Sequence, residues 1–286
     1  MMTRRLAIAL STGLLLAGSA TVAFGHGNHG EDAALKAAVA SPVRGVAHVA
    51  RDAARNPYES LKFWGLKPGL TVIEVSPGSG YWTEILAPYA KATGGTYVAT
   101  VADLNNPKIS DGARKARADF EARFSDTAKW GNVQYAGFGP VSGPLGAAGS
   151  ADIVITARNI HNFMYQDGLL AKSMADFFAV LKPGGVLAVE EHRADPRPEV
   201  PGVTDGYVSV ATVVAAAEKA GFKLEAQSEI NANPKDTKDH PFGVWTLAPV
   251  KRTAPAGQPA NPAFDRTKYD AIGESDRMTL RFVKPK

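Results

Sequence analysis

Polar side chains suited to chemistry gather where apolar runs give out. Glu74 stands among Val72, Ile73 and Val75, where a carboxylate is costly unless it accepts hydrogen bonds. It can brace the turn that follows, receive a ligand's ammonium group, or do both. Asp103 closes the apolar stretch 96–102, a place from which it can accept from paired sugar hydroxyls or simply be solvated. Arg158, Asn159, His161 and Asn162 fall within five positions after the run 152–157. His161 can take a proton from an accepting oxygen or nitrogen near neutral pH, with Asn162 beside it, and Asn159 can bind a ligand. The competing role for this group is to pin the loop and cap the next helix. Glu190, Glu191, His192 and Arg193 are suited to orienting an acceptor, to holding a metal, or to a solvated salt-bridge cluster, which is the commoner outcome. His26 and His29 could also ligate a metal, but in so glycine-rich a stretch solvated imidazoles are the rule, and no metal site is assigned.

Residues 76–80, SPGSG, must turn the chain after the strand that carries Glu74. Pro77 has no amide proton, and Gly78 and Gly80 open dihedrals closed to other residues. Trp82, Ile85, Leu86 and Tyr89 then recur at helical spacing, so a helix opens just beyond Gly80 with its unpaired amides at the strand's carboxyl end. In an open α/β sheet that crevice binds nucleotide-like ligands. A dinucleotide fingerprint would need glycine where Thr83 stands, and Pro77 withholds a donor that a pyrophosphate cradle uses. The turn therefore disfavours a diphosphate. An adenosyl ligand without phosphates would approach Gly78 and Gly80 closely, hold its ribose on Asp103, and have Tyr81 and Trp82 to exclude water or stack.

The elements around these residues alternate. Helical patterns over 33–55, broken near Ser41 and Pro42, and over 58–64 precede the strand at 72–75. Strands follow at 96–102, 133–138, 152–157, 186–190 and 222–230, with helices at 110–130, 167–181 and 208–220 among them, and a last strand at 278–283. Such alternation specifies a doubly wound, mainly parallel α/β sheet with helices on both faces. Residues 232–277 are too long for an ordinary connection, and Trp245, Leu247, Tyr269 and Ile272 within them favour a lid over the crevice rather than a solvated linker.

At this point the chain resembles the Rossmann-like (class I) S-adenosylmethionine-dependent methyltransferases. Glu74 to Gly80 matches their E-x-x-x-G-x-G element, Asp103 ends the second strand, and FFAVLKPGGVLAV (177–189) looks like their stretch into the fifth strand. A subgroup of exported predicted methyltransferases is similar over almost the whole mature chain, through EVSPGSGYWTEIL, ITARNIHNFM, KDTKDHPFGVWTL and AIGESDRMTLRFVKP. The resemblance implies seven strands with the last antiparallel, S-adenosylmethionine as cofactor, and Glu74, Ser76, Gly78, Gly80, Tyr81, Asp103 and Asn159 as its binding residues. It implies methyl transfer to a small-molecule acceptor, with His161 and Asn162 at the reacting end. Two departures stand out: Ser76 replaces a frequent glycine, and AGFGPVSG after the third strand lacks the acid that commonly holds adenine, leaving Phe138 and backbone groups.

Composition narrows the rest. At 286 residues and 45% hydrophobic, the chain can build one substantial domain, assigned to 33–286 with an N-terminal helical extension at 33–66. Residues 1–25 place Arg4 and Arg5 before an apolar run of thirteen residues, 6–18, and small residues, which reads as a signal peptide for export to the periplasm or medium. The run is shorter than the roughly 20 residues of a stable membrane span, so no lasting anchor is expected after cleavage, and 26–32 would be a flexible new terminus. Removing Arg4 and Arg5 lowers the formal charge from +4 to +2, which argues against a nucleic-acid partner. The absence of cysteine excludes disulfides, thiolate metal sites and cysteine nucleophiles. Oligomeric state is not legible. The rival to an enzyme is an exported, non-catalytic module that binds a nucleoside or other small molecule on the same fold.

Overall fold

The computed structural model describes residues 32–196 and 204–286; the expected signal peptide, His26 and His29 lie outside the described residues. Four short helices come first: α1 (Ala33–Val39), α2 (Val46–Val49), α3 (Asp52–Arg55) and α4 (Pro57–Phe63). Asp32 caps α1 by accepting from the Leu35 amide, and Tyr89 donates to its second oxygen. Pro57 opens α4 at the position where its missing amide costs nothing.

The sheet follows in the order the alternation predicts. Strand β1 (Thr71–Val75) leads through the glycine turn to α5 (Thr83–Thr93), then to β2 (Thr96–Ala102). The single helix expected over 110–130 is two, α6 (Asp111–Arg123) and α7 (Thr127–Trp130), because Asp126 accepts from the Ala128 and Lys129 amides and starts a new helix. Next come β3 (Val133–Phe138) and β4 (Ala151–Ala157), then α8 (Ile160–Met164), a helix the sequence reading did not anticipate. Beyond it lie α9 (Leu169–Val180), β5 (Leu181–His192), α10 (Val210–Lys219), β6 (Lys223–Ser228), α11 (Thr267–Ile272) and β7 (Arg277–Val283).

The strand order is β3-β2-β1-β4-β5-β7-β6. Only β7 runs antiparallel to its neighbours, β5 and β6, so the seven-stranded architecture expected from the resemblance is the one observed. Succession reverses direction between β1 and β4, which makes their carboxyl ends the switch point where such sheets open a crevice. Both faces of β1 are buried: Val72 joins the core beneath α1 and α5, and Ile73 and Val75 join the core beneath α8 and α9.

The insertion 232–277 is folded onto the domain. Asp236 accepts from the Tyr207 hydroxyl at 2.9 Å and the Asp276 amide at 2.8 Å, and pairs with His240 Nε2 at 2.7 Å. Leu247 is fully buried, and a short 3-10 turn, Gly243–Thr246, carries Val244 and Trp245 to the crevice. No helix among the described residues is long and apolar enough to cross a membrane.

Candidate active site

Two cavities open at the switch point and share Ser76, Pro77, Gly78, Asn159 and Asn162 as a common wall. The larger, about 530 Å³, lies between β1, β2 and β3 and is lined mainly by carbon: Val101, Ala102, Phe120, Phe138, Phe163 and Leu169. The smaller, about 240 Å³, lies over β1 and β4 and gathers Glu74, Tyr81, Arg158, His161, His192 and Trp245.

The turn itself explains both the glycine and its missing counterpart. Gly78 has φ 58°, and a Cβ added there would meet nothing within 4 Å, so its hydrogen faces open cavity. Gly80 does not: a Cβ there would lie 2.5 Å from the Phe124 ring, and the residue lines neither cavity. Its glycine serves packing, which corrects its assignment to the ligand. Ser76 holds φ 47° without being glycine, and its amide donates to Thr100 Oγ1 at 2.8 Å. The chain thus keeps the left-handed turn at a cost of roughly 1–2 kcal/mol.

The turn is braced from both sides. Glu74 Oε2 accepts from Thr83 Oγ1 at 2.9 Å and Tyr97 OH at 2.6 Å, so side-chain hydroxyls hold it, rather than turn amides. Burial pushes its carboxyl up to about 7 against the lowering effect of Tyr97, Thr83 and Arg55. From outside, Glu84 accepts from the Gly45 amide and pairs with His48 and Arg123, and these two in turn bond Ser79. Tyr81 is buried, its hydroxyl donating to Asp52 at 2.7 Å and its ring lying 4.3 Å from the Arg55 guanidinium. Trp82 packs edge-on against Trp64, yet also reaches the small cavity.

Asp103 is not brought to either cavity. Ala102 is the last residue of β2 in the wall; the Asp103 Oδ1 accepts from the Asn105 amide at 3.0 Å, and the side chain lies against Gly137. A local turn has claimed the carboxylate that the sequence offered to a sugar.

On the other flank, Asn159 donates to the Val75 carbonyl at 2.9 Å, tying the exit of β4 to the end of β1 while it lines both cavities. His161 is 4% exposed on α8. Its Nδ1 lies 2.9 Å from Glu191 Oε1, and the other oxygen accepts from the His161 amide. This arrangement leaves Nε2 as the free ring nitrogen of an oriented imidazole. Asn162, one residue on, is exposed in the wall common to the two cavities. His192 Nδ1 is held by Ser275 Oγ, and burial, followed by the charges of His161 and Arg158, pushes its imidazole well below the usual range. Ligand atoms of His161, Glu191 and His192 come within 4.8 Å of one another, the spacing a metal needs. Glu191 already accepts from His161 twice and from the His192 amide, so most of its acceptor capacity goes to positioning these residues.

Sequence reading missed how far the small cavity's support extends. Arg51, Arg55 and Arg277 all meet Glu274, at 2.6, 3.2 and 2.7 Å, and Arg277 also pairs with Glu190 at 3.1 Å. Burial works against the charge on Glu274, but Arg55, Arg277 and Arg51 outweigh it and hold its carboxyl down at about 2. Arg51 and Arg55 lie 223 and 219 positions from Glu274 in the chain, so no local pattern announces that they share it.

No protein-family profile matches the chain, and no curated protein matches it as a relative. Among solved structures, the [4+2]-cyclase SpnF superposes with a TM-score of 0.52 at 16% identity, covering 81% of each chain. A chain of the complex between the Haloferax volcanii Trm112 methyltransferase activator and a candidate methyltransferase gives 0.50 at 15% identity, over 90% of this chain and 99% of that one. A SAM-dependent methyltransferase from Aquifex aeolicus gives 0.47 at 22% identity over 64% of this chain and 87% of its own. The likeness is one of fold: this is the Rossmann-like class I methyltransferase architecture. Because a cyclase shares it, the reaction must be argued from the site.

Proposed function

We propose that the protein is an S-adenosylmethionine-dependent methyltransferase acting on a small molecule. The observation that carries this reading is the shared wall: Gly78 opens onto a carbon-lined cavity on one side and a polar cavity on the other, with no amide at Pro77 for a phosphate. An adenosyl group suits the large cavity, with its base against Phe138, whose ring is itself backed by Phe163 and Phe177. The methionine end would pass Ser76 and Gly78 toward the small cavity, beneath Asn159. When bound, the cofactor supplies an electrophilic methyl group, so the protein's main task is alignment in a dry pocket.

The chain's own residues divide that task. Asn159 fixes the wall, Tyr81, Trp82 and Trp245 exclude water, and Asn162 stands where both ligands would meet. Glu191 orients His161 so that Nε2 can accept a proton from a protonated acceptor. Within this reading residues 1–25 direct export, a point cell fractionation with an antibody would check.

Mass spectrometry of small molecules retained by the purified protein tests the function. A co-purifying S-adenosylmethionine or S-adenosylhomocysteine supports it; a retained dinucleotide contradicts it.

A further inference from the structure

Arg158 stands apart from the arginines around it. It follows β4 at φ 59°, its amide donating to the Glu190 carbonyl at 2.7 Å, and it lines the small cavity. Among the described residues its guanidinium makes no ion pair, Glu190 attracting it only from beyond contact distance, and its Nε is buried without any hydrogen bond. Its neighbours are better served: Arg51, Arg55 and Arg277 share Glu274, and Arg277 has Glu190 as well. The cluster therefore contains four guanidiniums and two carboxylates, Glu190 and Glu274, and the charge left over points at Arg158. Burial, and then repulsion from Arg55, pulls the Arg158 guanidinium down to about 9, so it still carries its charge at neutral pH.

A half-buried cation whose Nε is cut off from water and makes no hydrogen bond is costly, and left-handed backbone at a non-glycine residue adds to the cost. The fork geometry of a guanidinium matches a carboxylate. One part of the cavity wall, formed by Trp82, Val244, Trp245, Pro249 and Val250, matches an apolar body. At about 240 Å³ the space is below the roughly 300–1,000 Å³ of drug-sized pockets, which suits a compact ligand.

We infer that the methyl acceptor is a small organic carboxylate, anchored on Arg158 in the small cavity. This rests on the methyltransferase reading for the word acceptor, but the anion site stands or falls by itself. Anchoring the carboxylate on Arg158 leaves the rest of the molecule along the wall that carries His161 and Asn162. Arg158 is then a specificity-determining residue, selecting charge where the aromatic wall selects shape.

The test is calorimetric titration of the full chain with acetate, benzoate and indole-3-acetate, each beside its neutral amide, and in parallel with S-adenosylhomocysteine. At least one carboxylate should bind about tenfold to a hundredfold more tightly than its amide. Arg158→Met should abolish that preference, Arg158→Lys should restore part of it, and both should leave S-adenosylhomocysteine affinity unchanged. Circular dichroism establishes that the variants fold. The inference is overturned if no carboxylate outbinds its amide, or if Arg158→Met leaves the preference intact. It is equally overturned if Arg158→Met weakens S-adenosylhomocysteine instead, since the cation would then serve the cofactor's own carboxylate. Failure of S-adenosylhomocysteine to bind the wild type, with carboxylate selectivity retained, would refute the cofactor and not the anion site.

Discussion

The large cavity is lined mainly by carbon, with Val101 and Ala102 at the end of β2, Phe120 on α6, Phe138 at the end of β3, and Phe163 and Leu169 from α8 and α9. The small cavity is assembled from remote segments, β1, α8, the end of β5 and the insertion, and its walls are imidazole, guanidinium and indole. One end of the crevice can hold a flat apolar base by shape, and the other can discriminate charge and handle a proton. The two ends also rest on different foundations. Hydrophobic packing supports the first, whereas a buried network of Arg51, Arg55, Arg277, Glu190 and Glu274 supports the second.

The largest effect should come from breaking the charged foundation. Glu274→Gln leaves buried guanidiniums without their shared partner and should cost about 3–5 kcal/mol in urea unfolding at pH 7. The carboxyl is held below its unfolded value, so its contribution is present above pH 4.5 and is lost as pH falls toward about 2. The gap between variant and wild type should therefore narrow in acid. Glu74 has the opposite sign: its carboxyl is raised from 4.5 to about 7, so stability is full below 4.5 and is lost as pH rises through about 7. Glu74→Gln, which still accepts from Thr83 and Tyr97, should remove a decline on the order of 3 kcal/mol between pH 4.5 and 8.

The two glycines of the turn separate ligand from packing. Gly78→Val fills open cavity and should lower S-adenosylhomocysteine affinity by about a hundredfold, while costing roughly 1–2 kcal/mol of stability for its left-handed backbone. Gly80→Ala should do the reverse, losing about 1–3 kcal/mol through collision with Phe124 while the folded fraction binds normally. Smaller still, Phe138→Ala should weaken S-adenosylhomocysteine by about tenfold and leave carboxylate selectivity untouched. Asp103→Ala should change it by less than about threefold, because the carboxylate is engaged by Asn105 outside the wall. A larger effect there would return the ribose to Asp103.

How much of this was legible in the sequence follows the same division. Period-two and period-3.6 patterns recovered every strand of the sheet, and Pro77, Gly78 and Thr83 were enough to disfavour a diphosphate. Arg158, Asn159, His161 and Asn162 stand out in the sequence because four polar groups at one strand exit are unusual, and all four line the small cavity. Helix α8 escaped because five residues carry barely more than one turn of periodicity. Gly80 and Asp103 were assigned to the ligand because a motif records residue types but not directions; Phe124 and Asn105, which claim them, lie outside it. The lid-like role of 232–277 was suggested by its aromatics, and Trp245 does reach the small cavity. The solitary charge on Arg158 could not be seen, since only the folded chain shows which acids its neighbours have taken.

The central claim is that a phosphate-free adenosyl compound occupies the crevice by entering past Gly78. Calorimetric titration of wild type and Gly78→Val with S-adenosylhomocysteine, and of wild type with NADH, tests it most directly. The account predicts one saturable site for S-adenosylhomocysteine on the wild type, its loss in Gly78→Val, and silence with NADH. Silence of the wild type toward millimolar S-adenosylhomocysteine, or tighter binding of NADH, would contradict it.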